Sequence, residues 1–293
     1  HLWLSHQVPM ALDLDYTLGS PLGRGSTAVV YRGSRDGLPL AVKKLSNPSM
    51  AQRKAFRREL AILTVLRHEN VVESRGSSES PTCMLLFMEL CKGGSLFNLV
   101  HNSNVDLVPN QKWRMLRDVA AALEHMHGLH PMIVHRDLKS LNILLSNPVH
   151  TNLDTPRVKL CDFGSARRMQ RLGEKKIGDT MTVSVGTPHW MAPEVISGRY
   201  DEKVDVYSFG IVGIEVLRQE VPFGDYEVED ILLAVAGGAR PDLGPPDGEA
   251  PQTLLDLIMR CWAQRPTDRP NFKEVSSSLY QIMYSSERKL LPL

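Results

Sequence analysis

Apolar and polar positions alternate in short runs from Tyr16 onward. Leu18, Leu22, Val29, Tyr31, Leu38, Leu40 and Val42 lie in pieces divided by Gly and Asp-Gly. A period of two marks half-buried strands, and Asp36-Gly37 between two pieces predicts a hairpin turn. At Met50 the period turns helical. Through Arg67, the residues Phe56, Leu60, Leu63 and Leu66, with Ile62 beside them, form one face. Arg53, Lys54, Arg57 and Arg58 form another, which reads as a solvated basic surface. Val71-Val72 and Met84–Met88 predict two further strands. Beyond Gly93-Gly94, Trp113, Leu116, Ala120, Leu123 and His127 step by three and four, predicting a helix of about 20 residues packed on one side. Val204–Leu217 is apolar almost all round and predicts a buried central helix. Thr253–Cys261 and Val275–Met283 are amphipathic and read as closing helices. The order predicts an α+β protein: a small β-rich lobe with one helix, a glycine hinge near position 93, and a larger helical lobe.

Composition narrows the class without revealing chemistry. In 293 residues, 34 Lys and Arg stand against 33 Asp and Glu, a formal net charge of +1. Such a chain has no bulk field for nucleic acid or an anionic membrane surface. No apolar run approaches the length of about 18 residues that a membrane span needs. The N-terminus, His1 to Gln7, shows no secretory signal and no initiator Met, so the chain is expected to be a fragment or a processed form. Cys83, Cys91, Cys161 and Cys261 include no C-x-x-C pair, so free thiols in a reducing, cytoplasmic setting are expected and a zinc site is not.

Three segments carry candidate chemistry. Gly23-Arg24-Gly25-Ser26-Thr27-Ala28-Val29-Val30 lies between two predicted strands. Its small side chains suit backbone N–H groups closing on phosphate oxygens, although such loops are also common turns. A strand leading into a strand argues against a dinucleotide-binding βαβ unit. Lys43 ends the apolar run Leu40-Ala41-Val42, a costly place for an ammonium without a partner. Glu59 on the next helix could supply the carboxylate; a solvated strand end is the alternative. Finally, His135-Arg136-Asp137-Leu138-Lys139-Ser140-Leu141-Asn142 is followed at a distance by Asp162-Phe163-Gly164.

These last segments resemble the signature motifs of the protein kinase family. Gly186-Thr187-Pro188-His189-Trp190-Met191-Ala192-Pro193-Glu194 is similar to the family's substrate-docking segment, and Asp205–Gly210 and Arg269 are similar to later landmarks. All occur in family order, from Gly23 to Arg269. The resemblance implies a bilobal kinase fold over 14–286, with a smaller lobe at 14–91 and a larger at 92–286, flanked by 1–13 and 287–293. It implies ATP and Mg2+ as cofactors. Leu22, Gly23, Arg24, Gly25, Ser26, Thr27, Ala28 and Val29 would form the phosphate-covering loop. Val30, Ala41 and Leu144 would cover adenine, with Met88 behind the pocket and Glu89, Leu90 and Cys91 as the hinge. Lys43, paired with Glu59, would bind the α and β phosphates, and Asn142 and Asp162 would hold magnesium. Asp137 would orient or accept the proton of the attacking hydroxyl, and Lys139 would lean on the γ-phosphate. Arg136 suggests a basic pocket for a phosphorylated residue, and Glu194 with Arg269 a buried ion pair.

Lys139, two after Asp137, is typical of Ser/Thr kinases. The run His135–Asn142 with Gly186–Glu194 resembles the tyrosine-kinase-like group, which includes mixed-lineage, Raf-type and TAK-type kinases. The expected partners are protein substrates with Ser or Thr acceptors and an upstream activating kinase; dual specificity is the alternative, and a nucleotide-binding pseudokinase scaffold the more distant one. Thr180, Thr182 and Ser184 are candidates for activating phosphorylation, whereas Thr187 is expected to bridge Asp137 and Lys139. Arg167, Arg168, Arg171, Lys175 and Lys176 make this segment basic. Three features depart from the family pattern: Ala28 at the third loop glycine, Ser74 at a usually apolar spine position, and a long stretch, Ser146–Arg157, expected as a surface hairpin extension.

Overall fold

A computed structural model describes residues 16–25, 27–169, 188–198, 200–244 and 250–290. They fall into two compact units that divide between Lys92 and Gly93. The first holds an antiparallel five-stranded sheet in the order β1-β2-β3-β5-β4. Its strands are β1 (Tyr16–Arg24), β2 (Val29–Arg35), β3 (Leu38–Ser46), β4 (Ser74–Glu79) and β5 (Cys83–Glu89). Asp36 and Gly37 both take positive φ, 50° and 75°, between paired Arg35 and Leu38. This is the left-handed two-residue turn that Asp-Gly favours. Leu40 and Val42 of β3 pack with Leu85 and Phe87 of β5 in a buried cluster.

Helix α1 (Met50–Val65) begins at a capping box, with Ser49 and Gln52 each satisfying the other's backbone N–H. It buries Phe56, Glu59, Ile62 and Leu63. The basic face is not simply solvated: Arg53 and Arg57 both reach Glu79 at the end of β4. The strand expected at Val71-Val72 lies further on. Those valines are buried, but β4 runs over Ser-Arg-Gly-Ser-Ser-Glu. As an edge strand it is held by backbone pairing to β5, so no apolar alternation announces it.

The second unit is mainly helical, with α2 (Leu96–His101), α3 (Pro109–Gly128), α4 (Lys203–Arg218), α5 (Val228–Ala236), α6 (Gln252–Cys261) and α7 (Phe272–Leu290). Every residue of α4 from Val204 to Val216 is buried, as its unbroken apolar character predicts. Gly210 permits its close approach to α6, since a Cβ there would lie 3.0 Å from that of Cys261. Helix α3 buries more than one side, including Gln111, Lys112, Asp118 and His127. The short α2 and α5 fall below what periodicity resolves; α5 buries only Ile231 and Val235.

Two small antiparallel strand pairs complete this unit: β6 (Met132–Val134) pairs with β9 (Arg167–Met169), and β7 (Ile143–Leu145) with β8 (Val158–Leu160). Ser146–Arg157 is the β7–β8 connection, as expected. It is tied down, not loose. The Asp154 carboxylate accepts the backbone N–H groups of His150 and Thr151, and the Gln111 amide of α3 donates to the Thr151 and Asp154 carbonyls. Cys83, Cys91, Cys161 and Cys261 form no disulfide among the described residues. Among the described residues, no helix is long and apolar enough to cross a membrane.

Candidate active site

In the first unit, β3 carries Lys43 and α1 carries Glu59. The Lys43 ammonium donates to both carboxylate oxygens, at 2.7 and 2.9 Å. Only 17% of the lysine side chain and 6% of the glutamate's is exposed. The partner that an ammonium at this strand end requires is therefore Glu59. Pairing of Val30 with Lys43 brings β2 alongside, and Ala41 of β3 is buried. Between β1 and β2 the Gly25 N–H donates to the Ala28 carbonyl, closing a tight turn. Nothing lies within 4 Å of where a Gly23 Cβ would stand, so the backbone there is open to approach. Ser26 lies outside the described residues. Met88 pairs with Ala41 and with Ser74, and the Glu89 carboxylate accepts the Glu73 N–H at 2.7 Å.

In the second unit the segment from His135 to Asn142 joins β6 to β7 and ends in a 3-10 turn. Asp137 organises it. Its Oδ1 accepts from the Lys139 ammonium at 3.0 Å and its Oδ2 from the Asn142 amide at 2.9 Å. The same Asn142 nitrogen donates to the Asp137 carbonyl at 2.8 Å. With both donor bonds spent on Asp137, what Asn142 has left to offer is an oxygen acceptor. The Asn142 carbonyl takes the Cys161 N–H at 2.9 Å, which sets Asp162 beside this segment. Asp162 adopts a left-handed conformation at φ 59°. An amide oxygen and a carboxylate fit magnesium, which binds one or two protein oxygens and takes the rest from water and phosphates.

The backbone of this segment hangs from α4. His135 and Arg136 N–H groups donate to the two oxygens of Asp205, both at 2.8 Å, and His127 of α3 reaches Oδ2 at 2.9 Å. Burial alone would raise Asp205. The hydrogen bond from His127, the charges of His127 and His135 and the Arg136 N–H outweigh it and hold the carboxylate below its ordinary value. Arg136 takes φ 67° and its Nε donates to the Ser165 carbonyl, with Tyr200 under the guanidinium. Arg269 is fully buried and grips Glu194 with two bonds, 2.6 and 2.9 Å, as expected of that pair.

A protein kinase domain model matches residues 16–281. The chain belongs to the protein kinase domain family. It is 35% identical over 88% of its length to the dual specificity protein kinase pyk3 of Dictyostelium discoideum, covering 18% of that protein. It is 36% identical over 92% of its length to the probable serine/threonine-protein kinase SIS8 of Arabidopsis thaliana, covering 25% of it. The dual specificity protein kinase shkC of D. discoideum is 34% identical over 89% of the chain, which spans 50% of that relative. The chain thus corresponds to half or less of these kinases.

Two anchors of this kinase domain escaped motif reading. Glu215, on α4, is buried and accepts from Ser140 Oγ at 2.5 Å, Trp190 Nε1 at 2.7 Å and His101 Nε2 at 3.0 Å. Gln111 tethers the long connection. A second carboxylate besides Asp205, at the thirteenth position of a mostly apolar helix, was the available signal for Glu215. Thr180, Thr182, Ser184, Thr187, Arg171, Lys175 and Lys176 lie outside the described residues.

Proposed function

We propose that this chain is an ATP-dependent protein kinase acting on Ser and Thr hydroxyls of protein substrates. The observation that carries the reading is Asp137, a carboxylate with Lys139 on one oxygen and Asn142 on the other. That arrangement suits a group that orients a hydroxyl and takes its proton, because the two bonds fix the carboxylate in one position. Lys139 supplies positive charge where charge develops during transfer. Lys43, fixed by Glu59, would receive the α and β phosphates, while the open backbone at Gly23 leaves room for phosphate beneath the loop. Val30, Ala41 and Leu144 would cover adenine, with the backbone of Glu89 to Cys91 meeting its edge. Asn142 and Asp162 would hold magnesium, which neutralises charge on the phosphate oxygens when bound.

The relatives named above include Ser/Thr and dual specificity kinases, so Tyr as an additional acceptor is the second reading. Control by phosphorylation of Thr180, Thr182 or Ser184, through an upstream kinase, goes with the same proposal, as does a reducing, ATP-containing compartment such as the cytoplasm. Phosphoamino-acid analysis of a generic protein substrate labelled from γ-phosphate-labelled ATP tests the acceptor. Label on Ser and Thr is expected; label on Tyr as well supports dual specificity, and label on Tyr alone contradicts the reading. Asp137→Asn should lower kcat by about 10²–10⁴-fold; a loss of less than tenfold would remove Asp137 from the role given to it.

A further inference from the structure

Arg53 and Arg57 lie one turn apart on α1 and converge on one carboxylate. Arg53 Nη1 donates to Glu79 Oε1 at 3.0 Å, and its Nη2 to the carbonyls of Ser80, at 3.0 Å, and Pro81. Arg57 donates to the same carboxylate through Nε at 3.1 Å and Nη2 at 2.6 Å. The receiving turn is stiff: the Ser80 N–H donates to the Cys83 carbonyl at 2.8 Å, and Cys83 N–H to Ser80 Oγ at 3.0 Å. Arg53 is 13% exposed and Glu79 23%, so the inner pair is partly shielded from solvent. Hydrogen bonds from Arg57 hold Glu79 below its ordinary carboxylate value.

The geometry places this clamp where it restrains the pair Lys43–Glu59. At 3.6 residues per turn, the Arg53–Arg57 row lies about 140° around α1 from Glu59. The helix is therefore held at two azimuths. One tether alone would leave rotation about the other free. A rotation of about 20° moves a side-chain tip on a radius of 5–6 Å by about 2 Å, enough to part Glu59 from Lys43. On the sheet side, β5 sets both attachment points: Lys43 stands opposite Leu86 and Glu79 opposite Met84. The strands flanking β5 thus hold the two anchors in fixed register.

We propose that Glu79 is a positioning residue for phosphoryl transfer: by clamping Arg53 and Arg57, it sets the rotation of α1 that keeps Glu59 on Lys43. The inference rests on the role given above to Lys43 and Glu59. The test is a double-mutant cycle on the active protein, reading kcat/KM for ATP and the melting temperature of Glu79→Gln, Glu59→Gln and the double variant. Glu79→Gln alone should lose about 5–10-fold in kcat/KM while melting changes little, as for a pair near the surface. In the Glu59→Gln background the same substitution should cost no further activity. As a second route, Glu79→Arg should lose activity and the added Arg57→Glu should recover part of it, a rescue that a bulk stability effect would not give. Equal losses from Glu79→Gln in both backgrounds, no loss with Glu59 present, or no charge-reversal rescue would overturn the clamp. If Glu59→Gln itself left kcat/KM unchanged, the assignment of the Lys43–Glu59 pair would fall first, and the clamp with it.

Discussion

Tyr207 stands on α4 with two guanidiniums over its ring, Arg269 at 5.1 Å and Arg240 at 5.2 Å from the centroid. Both cations favour the electron-rich ring faces. The hydroxyl is buried and has no hydrogen-bond partner among the described residues. Burial pushes its pKa up from 10.0 to about 12, against the pull of both arginines. In the unfolded chain the phenol loses its proton first, so between pH 10 and 12 the native state binds more protons. Stability is then fully present below pH 10 and falls as pH rises towards 12. Tyr207→Phe keeps the ring and removes the titration. Its stability at pH 7 should stay within about 0.5 kcal/mol of the parent, and its alkaline unfolding midpoint should rise. An unchanged midpoint in an alkaline titration followed by circular dichroism would show that another group sets the limit. At this scale much was legible. Lys43 at the end of an apolar strand demanded a partner, and Glu59 is that partner. Tyr207 under two arginines was not legible, because Arg240, Arg269 and Tyr207 meet only through the folding of α4 against the loops beyond α5 and α6.

Helix α4 does more than fill the core. It delivers Asp205 to the backbone of the His135–Asn142 segment and, ten residues later, Glu215 to Ser140, Trp190 and His101. Because α4 is buried on all sides, neither carboxylate can turn to water, and each must be satisfied by what surrounds it. Glu215→Ala should strand the Trp190 N–H and the Ser140 hydroxyl, destabilising the protein by about 3 kcal/mol, measured by chemical denaturation. A change below about 0.5 kcal/mol would mean that these donors find other partners. The long elements were readable for two reasons: burial of one part of the surface imposes a 3.6-residue pattern on α1, α3, α6 and α7, and α4, buried all round, is apolar along almost its whole length. Strand β4 was misplaced for the opposite reason. It lies at a sheet edge, its side chains are only partly covered, and its pairing is a backbone matter that leaves no apolar signature. The basic face of α1 was read as solvated because Glu79 is twenty and more residues away in sequence.

For the whole molecule, the near balance of charge conceals local assignments. Lysine and arginine are spent singly against carboxylates: Lys43 on Glu59, Arg53 and Arg57 on Glu79, Lys139 on Asp137, Arg269 on Glu194. The motifs in family order revealed the kinase fold and the candidate site residues together, since that fold dictates the place of each motif. Substrate choice was not legible, because it depends on surface shape and charge that no spacing in the chain encodes. In the proposed function, Asp162 with Asn142 supports transfer of the γ-phosphate of ATP. Its most direct test is initial-rate transfer from labelled ATP with Mg2+ to a generic protein substrate, run for the parent and for Asp162→Asn, with melting curves as a folding control. Robust transfer by the parent is expected, with a loss of at least about 100-fold in the variant at unchanged melting temperature. Equal transfer by both, or none by a folded parent in its phosphorylated form, would contradict it.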